Sequence, residues 1–297
     1  MTGTRFLDPR ILARISNLEL IARTVVDGFI SGLHHAPYLG LSTDFAEHRP
    51  YLPGDDIRRI DWRVWGRTDR LYVKEFEADT NANLVVLLDV SRSMDYGSAG
   101  VTKLDYARYL AASLLYLSRR QRDRVGLITF DARLVDYVPP AAKHLDLSLH
   151  TLERVTPGAR GELLAPLEKI GQTVRRRSIL VLLSDLYEPP DRILRGLGAL
   201  RDRGHDLLVF HVLDPYEREF PFEEAASFED LETGERAPVV PAKMRDEYRE
   251  LVRQHCEALR RRLGQNRIDY YLADTGRPLD FSLLEYLTRR EWLKRVR

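Results

Sequence analysis

The sequence predicts an α/β fold with a doubly wound, mostly parallel sheet, and three observations lead to this prediction. Residues 84–88 and 179–183 are uninterrupted apolar runs, which are typical of strands buried on both faces of a sheet. Between residues 83 and about 214, strand patterns alternate with helix patterns, as parallel strands joined by crossover helices require. The 297 residues suffice for one large α/β domain with an extension.

The elements of this domain follow from the periodicity of the apolar residues. Strands are predicted at these residues: 84–88, 125–130, 134–138, 179–183, 207–212 and 268–272. Helices are predicted at these residues: 107–117, 144–155, 162–174, 191–202, 241–263 and 283–287. The acidic, proline-containing stretch at about 215–240 interrupts the alternation, and we interpret it as an insertion with a hairpin turn at 232–235.

Residues 1–82 have a different character and predict an N-terminal extension subdomain. The segment opens with an amphipathic helix pattern over residues 11–25 and continues with turn formers and isolated aromatic residues. It ends with an alternating run at 71–77, which predicts a strand. We therefore divide the chain into the extension at 1–82 and the α/β domain at 83–297.

The composition limits the classes of partner and compartment. The 46 basic and 45 acidic side chains nearly cancel, which gives no general reason to expect nucleic acid as a partner. No stretch approaches the roughly 18 uncharged apolar residues of a membrane span, so we expect no membrane insertion. A single cysteine excludes an intramolecular disulfide, and no signal-peptide pattern opens the chain, so we expect a cytoplasmic protein.

Polar residues that follow two of the buried strands predict a cation site. Asp89, Ser91 and Ser93 come directly after one strand, and Asp185 follows another. Ligands of open parallel sheets bind beyond the carboxyl ends of the strands, so neighbouring strands would bring these side chains together. Such hard oxygen donors favour Mg²⁺, with Mn²⁺ or Ca²⁺ as alternatives, over zinc or copper. With few carboxylates among its ligands, the ion would keep open positions for an acidic group of a partner.

The same residues allow a second interpretation that needs no metal. Aspartate and serine side chains at the ends of strands commonly accept hydrogen bonds from nearby backbone amides. The motif alone leaves both interpretations open.

The D-x-S-x-S motif at residues 89–93 resembles the metal-ion-dependent adhesion site of von Willebrand factor A domains. Those domains are doubly wound sheets in which this motif, a later threonine and a later aspartate surround one cation. The resemblance implies that Asp185 is the later aspartate, and it aligns Gly161 with the threonine. Thr156 or Glu162 would then be substitute donors, directly or through water.

A second resemblance covers nearly the whole chain. The run R-P-Y-L-P-G-D-D-I-R-R-I-D-W at 49–62, G-R-T at 66–68 and L-Y-V-K-E-F at 71–76 are similar to the signature of the domain of unknown function 58 family. In that family the signature precedes a von Willebrand factor A-like domain, as it does in this sequence. The resemblance implies an accessory of a MoxR-type AAA+ ATPase that helps assemble or activate a client protein.

The charged and aromatic residues of this signature suggest two roles. They could form an ion-pair network that ties the extension to the α/β domain, or they could form a docking surface for the ATPase. Charge alternation next to tryptophans is typical of a subdomain interface, so we favour the first role. The residues concerned are Arg49, Asp55, Asp56, Arg58, Asp61, Trp62 and Arg67.

Together these features predict a cation-dependent protein-binding module that is not an enzyme. The chain contains no G-x-x-x-x-G-K-[ST], G-x-S-x-G or H-E-x-x-H motif, and no G-x-G-x-x-G after a strand. A metal-free scaffold, favoured by Gly161, is one alternative. A Mg²⁺-dependent phosphohydrolase is another, although a haloacid dehalogenase-type enzyme would need an aspartate where this chain has Ser91.

Overall fold

The structure is a computed structural model that describes residues 8–34, 48–51, 62–68, 70–74, 82–98 and 100–295. Its strands are β1 His48–Pro50, β2 Tyr72–Lys74, β3 Asn83–Asp89, β4 Arg124–Phe130, β5 Leu134–Ala141, β6 Ile179–Ser184, β7 Asp206–Leu213, β8 Ala226–Glu229, β9 Arg236–Val239 and β10 Asp269–Asp274. Its α-helices are α1 Pro9–Leu12, α2 Leu18–His34, α3 Trp62–Thr68, α4 Lys103–Arg120, α5 Leu145–Arg154, α6 Leu164–Thr173, α7 Pro190–Asp202, α8 Pro215–Glu219, α9 Pro241–Gln265 and α10 Asp280–Arg295.

The central sheet has the strand order β10-β7-β6-β3-β4-β5, and its neighbouring strands are parallel except for the hairpin of β4 and β5. Val86 of β3 pairs with Leu127 of β4 on one side and with Val181 of β6 on the other. This arrangement confirms the predicted doubly wound, mostly parallel fold. Because the chain leaves β3 in one direction and returns to β6 on its other side, a crevice forms at the carboxyl ends of these two strands.

Helices cover both faces of the sheet, so alternate residues of β3 enter two different cores. Leu84, Val86 and Leu88 pack in the core that also contains residues of α2, α4 and α10. Val85 and Leu87 point to the opposite face and pack in the core with residues of α6, α7 and α9. All five side chains are fully buried, which explains why the strand has no polar face in the sequence.

The N-terminal helices join the first of these cores. Helix α2 packs against α4 and buries Ile21 and Val25. The sequence predicted one helical pattern over residues 11–25, whereas the structure contains two helices. The side-chain oxygen of Asn17 accepts a hydrogen bond from the Leu20 amide at 2.8 Å, so Asn17 caps the start of α2 and separates it from α1.

The rest of the extension is described in part. Strand β2 lies within the run predicted at 71–77 and pairs with β1 in antiparallel fashion. The signature residues 52–61 lie outside the described residues. Helix α3 begins at Trp62.

The insertion at 215–240 contains α8 and an antiparallel hairpin of β8 and β9, which confirms the predicted turn at 232–235. Helix α8 was not predicted. A capping box stabilises it, in which the Tyr216 amide donates to Asp214 Oδ1 at 2.8 Å and the Asp214 amide donates to Glu217 Oε2 at 2.9 Å. None of the described helices is long and apolar enough to cross a membrane.

Candidate functional site

The crevice between β3 and β6 brings together the two predicted site loops, one after each strand. Leu88 pairs with Leu183 in the parallel ladder, so Asp89 and Ser184 end the two strands side by side. The Ser184 hydroxyl donates a hydrogen bond of 2.6 Å to Asp89 Oδ2. Asp185, one residue further on, is buried at the same end of the sheet.

The loop after β3 folds back on the carboxylate of Asp89. The Ser91 amide donates to Asp89 Oδ1 at 2.9 Å, and the hydroxyl oxygens of Ser91 and Ser93 lie 3.2 Å apart. Asp89 and Ser91 are buried, whereas Ser93 is half-buried and lies nearest to solvent. Ser91 contributes both its amide and its hydroxyl to the hydrogen bonding of the Asp89 carboxyl group, and Ser184 adds its hydroxyl.

The carboxylate of Asp89 is held in an unfavourable environment. Burial, and after it the charge of nearby Asp185, raises the pKa of Asp89 to about 7. A carboxyl group whose ionised form is destabilised in this way would gain from a positive charge beside it.

A buried lysine supplies positive charge next to Asp185. Lys103 is fully buried at the start of α4, and its Nζ lies 2.8 Å from Asp185 Oδ2 and 2.7 Å from Glu217 Oε1. Burial alone would lower the pKa of Lys103, but the two carboxylates raise it above its usual value. This lysine is not among the site residues predicted from the sequence. The signal was its spacing of four from Ala107 and seven from Leu110, which places it on the apolar face of the helix.

The oxygen atoms of Asp89, Ser91, Ser93 and Asp185 are of the kind that a hard cation prefers. The ammonium group of Lys103 already places one positive charge next to Asp185. The carboxylates of Asp185 and Glu217 share one ammonium group, that of Lys103, and the carboxyl group of Asp89 lies near Asp185. Within the described part of the chain, no three His, Cys, Asp or Glu side chains lie close enough together to hold a metal ion. A cation at Asp89 would therefore depend on the hydroxyl groups of Ser91 and Ser93 as well as on carboxylates.

Gly161 and Glu232 close the site from the side opposite to β6. Gly161 lies against the loop after β3, where an added Cβ atom would be 2.8 Å from Ser91 Cβ and 3.1 Å from Ser91 Oγ. The Gly161 amide donates to Glu232 Oε2 at 2.7 Å, and the Ser93 amide donates to Glu232 Oε1 at 2.8 Å. A carboxylate from the insertion hairpin thus lies where the von Willebrand resemblance placed a threonine.

The two substitute donors named from the sequence lie elsewhere on the surface. Thr156 and Glu162 are both exposed, and the carboxylate that contacts the Gly161 amide belongs to Glu232. From the sequence, Glu232 was predicted only as a residue of the hairpin turn. An acidic residue at the tip of a hairpin was the available signal, but nothing in the sequence fixes where such a tip reaches.

The signature residues of the extension are described only in part. Arg67 is exposed on α3, and Arg49 and Trp62 lie in β1 and α3 respectively. The remaining four residues, Asp55, Asp56, Arg58 and Asp61, lie outside the described residues. Both roles considered for the signature therefore stay predictions.

The sheet order and the loop at Asp89 define an α/β protein of the von Willebrand factor A-like class. The chain belongs to the family described as "Protein of unknown function DUF58", which matches residues 47–258. It is 30% identical over 292 residues to uncharacterized proteins of Mycobacterium bovis and Mycobacterium tuberculosis, the latter named Rv1480, and each alignment covers 96% of this chain and 87% of the relative.

Solved structures with a similar fold include the conserved hypothetical protein BatB from Bacteroides thetaiotaomicron. The match has a TM-score of 0.48 and 16% identity, and it covers 70% of this chain and 98% of BatB. The SpRpn10 VWA domain matches with a TM-score of 0.38 and 12% identity, covering 68% of this chain and 92% of that domain.

Proposed function

We propose that this protein is a binding module that holds a divalent cation at the loop after β3 and uses it to bind an acidic group of a partner protein. The observation that carries the proposal is the convergence of Asp89, Ser91 and Ser93 with the end of β6, at the crevice where open parallel sheets bind ligands. The site is built from buried polar groups, and its outer member, Ser93, is within reach of solvent.

Mg²⁺ is the first choice of cation, with Mn²⁺ and Ca²⁺ as alternatives, because the donors are all hard oxygens. Asp89, Ser91 and Ser93 would hold it, with Asp185 beside them. When bound, the cation supplies residual positive charge for a partner's carboxylate. The ion pair with Lys103 holds Asp185 in place and offsets its charge, which reduces the repulsion between Asp185 and Asp89.

We place this module in the context that the family resemblance implies, as an accessory of a MoxR-type AAA+ ATPase in the assembly or activation of a client protein. The charge balance and the absence of a spanning helix among the described residues are compatible with protein partners. We further propose that the protein is cytoplasmic and that it is not an enzyme.

A metal-free scaffold is the second candidate, and one contact favours it. The ammonium group of Lys103 already provides Asp185 with a positive partner at 2.8 Å. In that case the loop after β3 would be held by its own hydrogen bonds, and partner binding would not respond to chelators.

Thermal unfolding in EDTA and in millimolar Mg²⁺, Mn²⁺ or Ca²⁺ distinguishes the two candidates. A ligand at about a hundred times its dissociation constant adds roughly 2.7 kcal/mol, which for this chain length corresponds to about 2–4 °C per kcal/mol. Wild type should show the shift and Asp89→Asn should not. Asp206→Asn is the matched control, because Asp206 is equally buried but begins β7 at the opposite end of the sheet.

No shift with any cation in wild type would exclude the cation-dependent candidate and leave the scaffold. The ATPase partnership is tested separately, by coelution of the full chain with a purified MoxR-type ATPase in Mg²⁺ and in EDTA. Coelution in Mg²⁺ alone supports the proposal, whereas no coelution in either buffer contradicts the partnership.

A further inference from the structure

The contact between the insertion hairpin and the loop after β3 points to the kind of group that a partner presents. We propose that the amide groups of Ser93 and Gly161 form a carboxylate-binding site, that Glu232 is its resident occupant, and that an aspartate or glutamate at the tip of a partner's loop takes the site by displacing Glu232. This inference rests on the proposed function in treating this end of the sheet as the partner-binding surface. It does not require a cation.

The carboxylate of Glu232 is bound by both of its oxygens. Oε1 accepts from the Ser93 amide at 2.8 Å, and Oε2 accepts from the Gly161 amide at 2.7 Å. The two donors come from different loops, one after β3 and one before α6, so their spacing is set by the sheet and not by a single turn. Hydrogen bonds of this kind to an ionised acceptor are stronger than those between neutral groups, and two parallel bonds select for a carboxylate.

Gly161 keeps this site open for a carboxylate. A Cβ atom there would lie 2.8 Å from Ser91 Cβ and 3.7 Å from Glu232 Oε1. A residue with a side chain would therefore push against the loop after β3 on one side and approach the bound carboxylate on the other. Where related metal sites have a threonine hydroxyl as a ligand, this chain has Gly161, whose backbone amide binds a carboxylate instead.

Hydrogen bonds within the hairpin tip fix the position of Glu232 in the turn. Asp230 Oδ1 accepts hydrogen bonds from the amides of Glu232 at 2.7 Å and Thr233 at 3.1 Å. The Gly234 amide donates to the Asp230 carbonyl at 2.7 Å, and Gly234 adopts a φ of +74°, which suits glycine. The tip is thus a compact turn from which the Glu232 carboxylate reaches the two amides, and a partner's acidic loop of the same design would fit the same two amides.

The hairpin has a second attachment to the domain, at its base, which does not depend on the contact of Glu232. Phe228 of β8 stacks on Phe220 with ring centroids 5.4 Å apart and contacts Phe222 edge-on at 5.0 Å, so an aromatic cluster anchors the base. The strands themselves are four residues each and mostly exposed. A hairpin of this size is marginally stable by itself, so the tip can leave the site while the aromatic base stays packed.

Charge favours replacement of Glu232 over addition of a second acid beside it. Asp89 already lies buried close to Ser93, so an acid that bound beside Glu232 would add negative charge near a buried carboxyl group. A partner's carboxylate that enters as Glu232 leaves keeps the charge of the site constant. One that joined Glu232 would add a further negative charge to it.

The test is a titration of ¹⁵N-labelled full-length protein with N-acetylglutamate amide, followed at the amide resonances of Ser93 and Gly161. Wild type is compared with Glu232→Ala, which vacates the site, and with Glu232→Gln, which retains the side-chain shape. Glu235→Ala is the matched control, because it removes the same charge from the same exposed hairpin tip. N-acetylglutamine amide serves as the neutral probe.

Both amides should shift saturably in Glu232→Ala, with an apparent dissociation constant roughly tenfold or more below that of wild type, since the resident occupant no longer competes. Glu235→Ala should behave as wild type, and the neutral probe should cause no saturable shift. An absence of saturation in Glu232→Ala, or equal affinity in wild type, overturns the inference. If Glu232→Ala unfolds, Glu232→Gln decides, because its amide oxygen can accept from only one of the two donors and it should bind the probe more tightly than wild type does.

The titration is run in EDTA and in Mg²⁺, so that the two proposals fail separately. Saturable binding in EDTA together with no cation effect on thermal unfolding would keep the carboxylate site and remove the cation from the function. A cation effect without probe binding in any variant would keep the cation site and overturn the exchange with Glu232.

Discussion

The Nζ atom of Lys103 lies 2.8 Å from Asp185 Oδ2, and neither side chain is more than 4% exposed. The same Nζ contacts Glu217 Oε1 at 2.7 Å, so one ammonium group joins the end of β6 to the capping box of α8. Ion pairs of this depth are sensitive to the loss of one member, because the remaining charge stays buried without compensation. The contact therefore links the stability of the fold to the electrostatics of the site.

Lys103→Met should lower the free energy of unfolding by about 3–5 kcal/mol, since it leaves Asp185 and Glu217 buried without their cation. Urea unfolding measures the loss. The double variant Lys103→Met with Glu217→Gln should lose less stability than the single variant, because it buries one uncompensated carboxylate fewer.

If the divalent cation binds beside Asp185, Mg²⁺ should stabilise Lys103→Met more than wild type. An equal Mg²⁺ response in both proteins would separate Asp185 from the cation site.

Gly161→Thr, which introduces the threonine of the related metal motif, should destabilise the protein and should not strengthen cation binding. The new Cβ would lie 2.8 Å from Ser91 Cβ, and overpacking of this kind costs about 1–3 kcal/mol. Thermal unfolding with and without Mg²⁺ measures both effects.

Two glycine variants complete this comparison. Gly161→Ala should show most of the loss, because the Cβ atom alone causes the contact with Ser91. Gly198→Ala is the control, since a Cβ on that helical glycine meets no atom of the described residues within 4 Å. This variant should be neutral or slightly stabilising. A stable Gly161→Thr variant with a larger Mg²⁺ shift than wild type would show that the threonine restores the metal site.

The sheet could be predicted from the sequence because its signal is local and redundant. The apolar run of β3 has no polar face, and its partners β4 and β6 repeat the pattern, so strand identity and parallel pairing follow from burial on both sides. Asp89 and Asp185 could be placed for the same reason, as the residues that end or directly follow such strands.

The contacts of Lys103 and Glu232 could not be predicted, because they join residues far apart in the chain. Lys103 contacts Asp185 across 82 positions, and Glu232 contacts Ser93 across 139. Helical spacing gives the face on which a side chain lies but not the partner that it meets there. Similarly, turn chemistry indicates a hairpin at 232–235 but not the loop against which its tip packs.

Variants in the signature of the extension distinguish its two predicted roles, an ion-pair network and a docking surface for the ATPase. If its charges tie the extension to the α/β domain, Arg58→Ala or Asp61→Ala should lower the stability of the N-terminal region by roughly 1–3 kcal/mol, as loss of a charged hydrogen bond does. Hydrogen exchange of α2 and thermal unfolding measure this effect. Unchanged stability with lost coelution with the ATPase would instead assign the segment to docking. Arg10→Ala, on the exposed surface of α1, is the control and should affect neither property.

His211 gives a prediction for the pH dependence of stability. The side chain is fully buried in β7, and its Nδ1 lies 2.7 Å from the Tyr270 hydroxyl. Burial, and after it the charge of nearby His255, lowers the pKa of His211 to about 3. The folded protein therefore keeps this histidine neutral in mild acid, while the unfolded chain protonates it below its ordinary pKa of about 6.5.

Because the unfolded state binds the additional proton, stability should fall as the pH falls below about 6.5, by about 1.4 kcal/mol per pH unit from this group. The buried Asp89 acts in the opposite direction, since its raised pKa makes protonation favourable in the folded state. The measured quantity is therefore the difference between wild type and His211→Gln in urea unfolding from pH 7 to pH 5. Wild type should lose about 2 kcal/mol relative to the variant over this range. His150→Gln, at an exposed histidine, is the matched control, and a wild-type slope equal to that of His211→Gln would show that His211 is protonated in the folded protein.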